Sequence, residues 1–377
     1  MDNLTHALVG AALSKSGLER ISPLATATLV VAANAPDVDV LSYTQGQWFA
    51  LSFRRGITHG IPALIVLPWL VAGIMTAWDI GVRRRHHPAL PSTRFSALLL
   101  ISYLGVLTHP LLDWTNTYGM RWWLPFDGEW SYGDSLFIVD PWIWLSLGAA
   151  VALARPWSRV GNVGWLALAG LTTALISRSP LVPLPVKMAW VMLVSMAALA
   201  RALGKPSTPE GGTRLCRGLT VTAAGYVVLM VISHRAAVAD VRGTLGPAGI
   251  VDAQAIMIGP RPADPIGSEA LVRTDNLYVR GSHEWTDSPR AQITGNSRFP
   301  RLDVAPSVSA GAAEVAVAAA RTQPNVVRYL VWSRFPYWRV ETAEGGLWVH
   351  VGDARFPGTG GLAGLSVLIP TPARPTQ

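Results

Sequence analysis

Cysteine occurs once, at Cys216, so this chain can form no internal disulfide and no zinc site built on several thiolates. Charge is scarce as well: Asp, Glu, Lys and Arg make up 14% of the residues, too few for the surface of an ordinary soluble domain. The N-terminus lacks a basic n-region. Asp2 is the first charge and Lys15 comes only after the first apolar run, so this segment is expected to belong to the fold and not to a signal peptide. No G-x-S-x-G elbow is present and the single cysteine has no evident partner, which removes support for a serine or cysteine hydrolase.

Hydrophobic residues, by contrast, form half of the chain, mean hydropathy is +0.32 and Trp occurs 16 times, a profile of membrane proteins. A helix crossing the hydrocarbon needs about 20 mostly apolar residues. Six windows approach this: Gly60–Ile80, Phe95–Leu112, Leu136–Ala154, Val160–Ile176, Leu181–Ala200 and Leu215–Ser233. The shorter runs Thr5–Leu13 and Pro23–Ala35 suit a re-entrant hairpin or a pair of helices buried among the others. After Ser233 Pro and Gly accumulate, and short β-like pieces follow, "ALVRTDNLYVRG", "NVVRYLVWSRFPYWRVE" and "GLWVHVGDARF", with one helix expected in "SVSAGAAEVAVAAARTQP". The expected fold class is therefore an α-helical polytopic membrane domain, residues 1–235, followed by a small β-rich (α+β) extramembrane domain, residues 236–377, that ends in a loose Pro/Thr tail.

The formal net charge is +8, but in a membrane protein the placement of bases matters more than their sum. Lys15 with Arg20, Arg83–Arg85 with Arg94, Arg155 with Arg159, and Arg201, Lys205, Arg214 and Arg217 recur after every second apolar run. Basic connections stay cytoplasmic, so the alternate loops and everything after Ser233 are expected outside. Anionic lipid head groups account for the "RRRHH" run, and no nucleic-acid partner is expected.

The chemistry lies in four short stretches, "NLTHALVG", "APDVDVL", "RRGITHG" and "LTHPLLDWTNTYG". His109 and Asp113 are four apart and share one face of a helix. Asp37 and Asp39 follow Pro36 in a turn, where closely spaced acids can reach one cation. His59 opens an apolar run at the level where the others close theirs, and His6 joins them if the first short helix starts at the same surface. Three histidines and three aspartates would then surround a borderline cation, Zn²⁺ or else Mn²⁺ or Fe²⁺. Arg54 and Arg55 beside such a site suit an anion, above all a phosphate. Each residue also has a plain structural use, such as capping by Asp37 or an ion pair between Asp113 and an arginine; ionisable residues near membrane helices are nevertheless costly and usually functional.

These stretches, with "WSRFPYWRVE" and "VGDARF" further on, resemble the bacterial integral-membrane proteins named membrane-bound metal-dependent hydrolases. The resemblance extends over most of the chain and implies a bacterial inner-membrane location. It also implies His6, Asp37, Asp39, His59, His109 and Asp113 as metal positions with Arg55 nearby. The family often has Ser after the second histidine where this chain has Gly60. The reading that follows is metal-assisted hydrolysis of a phosphoester or lipid-linked substrate, with Asp39 or Asp113 as general base, Arg55 on the anion and Trp122, Trp123 and Trp130 at head-group level. The alternative is a non-catalytic envelope scaffold with a structural metal and a partner-binding outer domain. In that outer domain Arg334, Asp353 and Arg355 read as a fold-defining polar network.

Overall fold

The computed structural model describes residues 1–154, 158–203, 208–356, 362 and 364–370. Arg155, Lys205 and residues 371–377 of the Pro/Thr tail, named above, lie outside the described residues. The chain divides into two compact units, one holding Met1–Asp39, Arg55–Arg235 and Gly259–Ser268, the other Val40–Arg54, Ala236–Ile258 and Glu269–Gln377.

In the first unit the two short apolar runs become helices α1 (Asn3–Lys15) and α2 (Ala25–Asn34). Asp2 caps α1 by accepting from the Thr5 amide and hydroxyl. Small residues then set the packing. A Cβ at Gly10 on α1 would come within 2.7 Å of the Leu29 carbonyl oxygen on α2. One at Gly105 on α6 (Phe95–Trp114) would come within 2.6 Å of the Ala32 Cβ. Glycine at these two crossings lets three backbones approach closely, and the same approach places His6, Asp37 and His109 near one another.

Among the described residues, five helices are long and apolar enough to cross a membrane: Ile61–His86, Phe95–Trp114, Arg159–Arg178, Leu184–Leu203 and Glu210–Leu245. The first comprises α4 (Ile61–Trp78), a π turn over Asp79–Arg83 and the short α5 (Arg84–His86). Buried Asp79 anchors that turn: it pairs with Arg83 and accepts from the Thr93 amide and hydroxyl at 3.0 and 2.9 Å. The others are α6, α8 (Arg159–Arg178), α9 (Leu184–Leu203) and most of α10 (Pro209–Leu245). The window Leu136–Ala154 departs from expectation. Its helix, α7 (Pro141–Ala154), has 14 residues, because Pro141 disfavours helix in the residue before it and Asp140 caps the first turn, accepting from the Trp142 and Ile143 amides. Cys216 is buried against α1, its thiol 3.4 Å from the Ala12 carbonyl.

The second unit also departs from expectation at its start. α10 runs on to Leu245, well past Ser233. A four-stranded sheet then follows in sequence order, β1 (Ala255–Arg261), β2 (Asp264–Arg273), β3 (Leu277–Glu284) and β4 (Ala291–Pro300). A second, mixed sheet orders β5 (Leu302–Val304), β6 (Pro336–Ala343), β7 (Gly346–Asp353) and β8 (Gly364–Pro370), with β5 parallel to β6. Between them lie α11 (Ala310–Ala320), where one helix was expected, and α12 (Pro324–Trp332), where a strand was expected. The β-branched residues of "NVVRYLVW" suggest a strand, but Pro324 starts a helix and Val326, Tyr329 and Trp332, three apart, are all buried on one side. This unit also contains α3 (Gln47–Phe53), which packs on α12, with Trp48 edge-on to Tyr329 at 5.7 Å.

The polar network of the second unit centres on Asp353, which is fully buried. It accepts from the Ser333 hydroxyl, the Arg334 amide and both the amide and Nε of Arg355, all at 2.8–2.9 Å. Burial alone would raise the Asp353 carboxyl; the Arg355 guanidinium and these hydrogen bonds outweigh it and hold the carboxyl below its usual range.

Candidate metal centre

Four segments of the first unit converge: the start of α1, the first residues, up to Asp39, of a 3₁₀ run over Ala35–Gln45, the turn before α4 and the end of α6. His6, His59 and His109 have no exposed surface, and Asp113 and Asp39 have almost none. His109 and Asp113 share a face of α6, as their spacing requires.

Hydrogen bonds define the state of the rings. His109 Nδ1 lies 2.6 Å from the Ala33 carbonyl, an acceptor only, so Nδ1 carries the proton. His59 Nδ1 lies 3.0 Å from the Thr58 hydroxyl and 3.4 Å from Asp39 Oδ2, which directs its proton to the same side. With Nδ1 of each ring turned to these partners, Nε2 is the atom of each that is left for the centre, and the two Nε2 atoms face each other at 3.1 Å. Around them stand Asp113 Oδ2, 3.4 Å from His59 and 3.6 Å from His109, and Asp37 Oδ1, 3.8 Å from each. His6 stacks on His109 with ring centres 3.7 Å apart, and its Nε2 is 3.2 Å from Asp113 Oδ1. Burial holds the His6 imidazole below its ordinary range, in the neutral form a metal ligand needs.

Two ring nitrogens facing at 3.1 Å repel unless a proton or a metal cation lies between them. In a tetrahedral zinc site with Zn–N bonds of about 2.0–2.1 Å, ligand atoms are about 3.3 Å apart. The separations of 3.1–3.8 Å here are those of ligand atoms around one ion, and the donor set of imidazole and carboxylate suits zinc, manganese or iron. His6, His109 and Asp113, or Asp37, His59 and His109, can each offer three atoms to one cation.

Asp39 does not converge with the others. Its Oδ2 accepts from the Arg55 amide at 2.9 Å and from the Thr58 hydroxyl at 3.2 Å, and it lies behind His59, on the far side of the ring from Nε2. Its place orients His59. Arg55 is 4% exposed: its Nε lies 2.9 Å from Asp113 Oδ2, its Nη1 donates to Asn116 Oδ1 at 2.6 Å, and its guanidinium covers the Tyr118 ring at 4.6 Å. Its backbone is left-handed, φ +53°, which is costly for a side chain of this size and is held by the bonds of the Arg55 amide to Asp39 and of its carbonyl to the Arg121 amide. The Met1 amine also contacts Asp113. Arg54, in the second unit, lies over the Tyr43 ring.

Sequence reasoning missed two residues here. Asn116 fixes Arg55, and Asn3 donates to Asp37 Oδ2 at 2.8 Å. Both are in the quoted stretches, "DWTN" and "MDNLTH", but amides do not stand out as ligands. Gly60 also finds its reason. A Cβ there would come within 2.9 Å of the Trp122 carbonyl and 3.2 Å of that of Arg121, so the loop after α6 leaves no room for serine. In that loop Arg121 stacks on Trp130 at 4.6 Å, while Trp123 is exposed.

Residues 1–182 match the profile of a family described as YdjM inner membrane protein. YfhP, an uncharacterised protein of Bacillus subtilis, is 27% identical over 174 residues, 44% of this chain and 48% of its own length. The chain thus spans about half the length of that relative. No solved structure matches the chain. The family description names a membrane protein and no reaction. With the five apolar helices, this match supports a multi-pass membrane protein, residues 1–182 of which are similar to the YdjM inner membrane proteins.

Proposed function

We propose that this protein is a metal-dependent hydrolase of the bacterial inner membrane that acts on a phosphoester or lipid-linked substrate. The observation that carries the reading is the pair of buried Nε2 atoms 3.1 Å apart between two carboxylates. His59, His109 and Asp37 would hold the cation, with Asp113 beside it and His6 against Asp113. Zinc suits the donors best, manganese or iron being the other choices. A divalent ion bound there supplies Lewis acidity and acidifies water towards neutrality. Of the two aspartates expected as base, Asp113 is the one whose oxygens face the centre, and it accepts the proton. Asp39 keeps His59 in the productive tautomer. Arg55, beside Asp113, offers its planar guanidinium to the anion. Asp37 leads outward to exposed Asn3, which marks the side of entry.

The distribution of basic connections supports an extracytoplasmic centre and C-terminal domain, the side from which a lipid substrate would approach within the leaflet. Turnover tests the reading. Purified protein in lipid nanodiscs, loaded with Zn²⁺ or Mn²⁺, is expected to release inorganic phosphate from phosphatidic acid or p-nitrophenolate from bis(p-nitrophenyl) phosphate. Asp113→Asn is expected to abolish that release with the unfolding transition retained. Release that is unaffected by the substitution contradicts the mechanism.

The complete burial of all three histidines favours one second reading, a structural metal closed off by protein ligands in an envelope scaffold. Metal that raises the unfolding midpoint with no turnover on any phosphoester supports it.

A further inference from the structure

α1, α7, α8 and α9 enclose a cavity of about 320 Å³ in the first unit. Leu4 and Leu8 on α1 and Trp144 on α7 line one end, Trp165 lies along α8, and Asn162 with Arg201 line the other. The cavity is long: Arg201 follows Trp190, another lining residue, by eleven positions on α9, about 16 Å along a helix. Its walls are almost wholly apolar, and none of its described lining residues is a carboxylate. Arg201 Nε and Nη2 both donate to Asn162 Oδ1, at 3.3 and 3.2 Å, which fixes the guanidinium at the polar end.

The setting indicates the occupant. α8 and α9 are the least covered of the five spans, only 11% and 6% buried within the protein, so the helices that wall the cavity are the ones a bilayer surrounds. A long apolar slot of this size between such helices matches the shape of an acyl chain. A guanidinium at one end, with no acid among the described lining residues, matches a phosphate head group, the arrangement by which basic pockets between membrane helices select anionic lipids. We propose that this cavity is a binding site for one anionic glycerophospholipid, with an acyl chain between α1, α7, α8 and α9 and its phosphate on Arg201 and Asn162. The site is separate from the metal centre, since Leu4 and Leu8 face away from His6 around α1.

Native mass spectrometry of the detergent-purified full chain tests this, with phosphatidylglycerol and phosphatidylcholine of matched chains as probes. The wild type is expected to retain a single phosphatidylglycerol in preference to phosphatidylcholine. Ala149→Phe, which fills the cavity from α7, is expected to lose retention of both lipids. Arg201→Gln is expected to keep a bound lipid while the preference between the two falls to parity. Retention in Ala149→Phe equal to the wild type would overturn the site, and an undiminished preference in Arg201→Gln would overturn the role given to its charge.

Discussion

Asp39 touches the centre only through its neighbours. Its carboxylate holds the Arg55 amide and the Nδ1 side of His59, so its loss changes how a ligand is oriented and not how many there are. Removing such a supporting group weakens metal by about 10–100-fold. Asp39→Asn is expected to lower zinc affinity by that order in a chelator competition with the fold intact, and unchanged affinity would show that His59 needs no such partner. Asp353 is a residue of the other kind, structural and fully satisfied. Because its pKa is lower folded than unfolded, it stabilises the protein above the unfolded value of about 3.9 and stops doing so as pH falls through the folded one. Asp353→Asn strands the buried Arg355 charge, a change that costs about 3–5 kcal/mol at neutral pH. Thermal unfolding followed from neutral to acid pH is expected to show a lower midpoint for the variant and a gap that narrows in acid.

At the scale of elements, the centre depends on how closely α1, α2 and α6 cross. Gly105→Leu would drive a side chain into Ala32 and the α2 backbone, and overpacking of this kind costs about 1–3 kcal/mol. Because Ala33 and Asp37 ride on the end of α2, the variant is expected to lose metal together with stability, whereas Gly73→Leu, on α4 with open space around it, is expected to lose neither. Metal content and unfolding midpoint, measured on both variants, check this. The elements also differ in how legible they were from sequence. The spacing of His109 and Asp113 places both on one face of a helix, and the long apolar runs announce α4, α6, α8 and α9. The start of α7 was hidden because the apolar run continues through Leu136–Val139, while Asp140 and Pro141 decide where helix begins. α12 was hidden because its buried face appears only once Val326, Tyr329 and Trp332 are counted in threes. The roles of Asn116 and of the Ala33 carbonyl depend on tertiary approach, which no spacing along the chain encodes. The different places of Asp37 and Asp39 depend on the 3₁₀ path between them.

At the scale of the whole molecule, α7 decides the topology. Its 14 residues extend about 21 Å, short of the roughly 30 Å of a hydrocarbon core, yet it lines a cavity with α8 and α9 along its length. Counted as a crossing, it returns the chain so that the basic connections all fall on one side and the C-terminal domain on the other. A reporter fused after Gln377 is expected outside the cytoplasm, and one inserted near Arg85 inside; a cytoplasmic signal from both would remove α7 from the crossings. The central proposal is nonetheless chemical: that His59 and His109, with Nε2 atoms 3.1 Å apart in a buried acidic site, hold a metal. Elemental analysis of the detergent-purified wild type and of a His59→Ala, His109→Ala double variant tests it most directly. The account predicts near-stoichiometric zinc, manganese or iron in the wild type and its loss from a folded variant. A wild type that remains metal-free after incubation with Zn²⁺ and Mn²⁺ would contradict it.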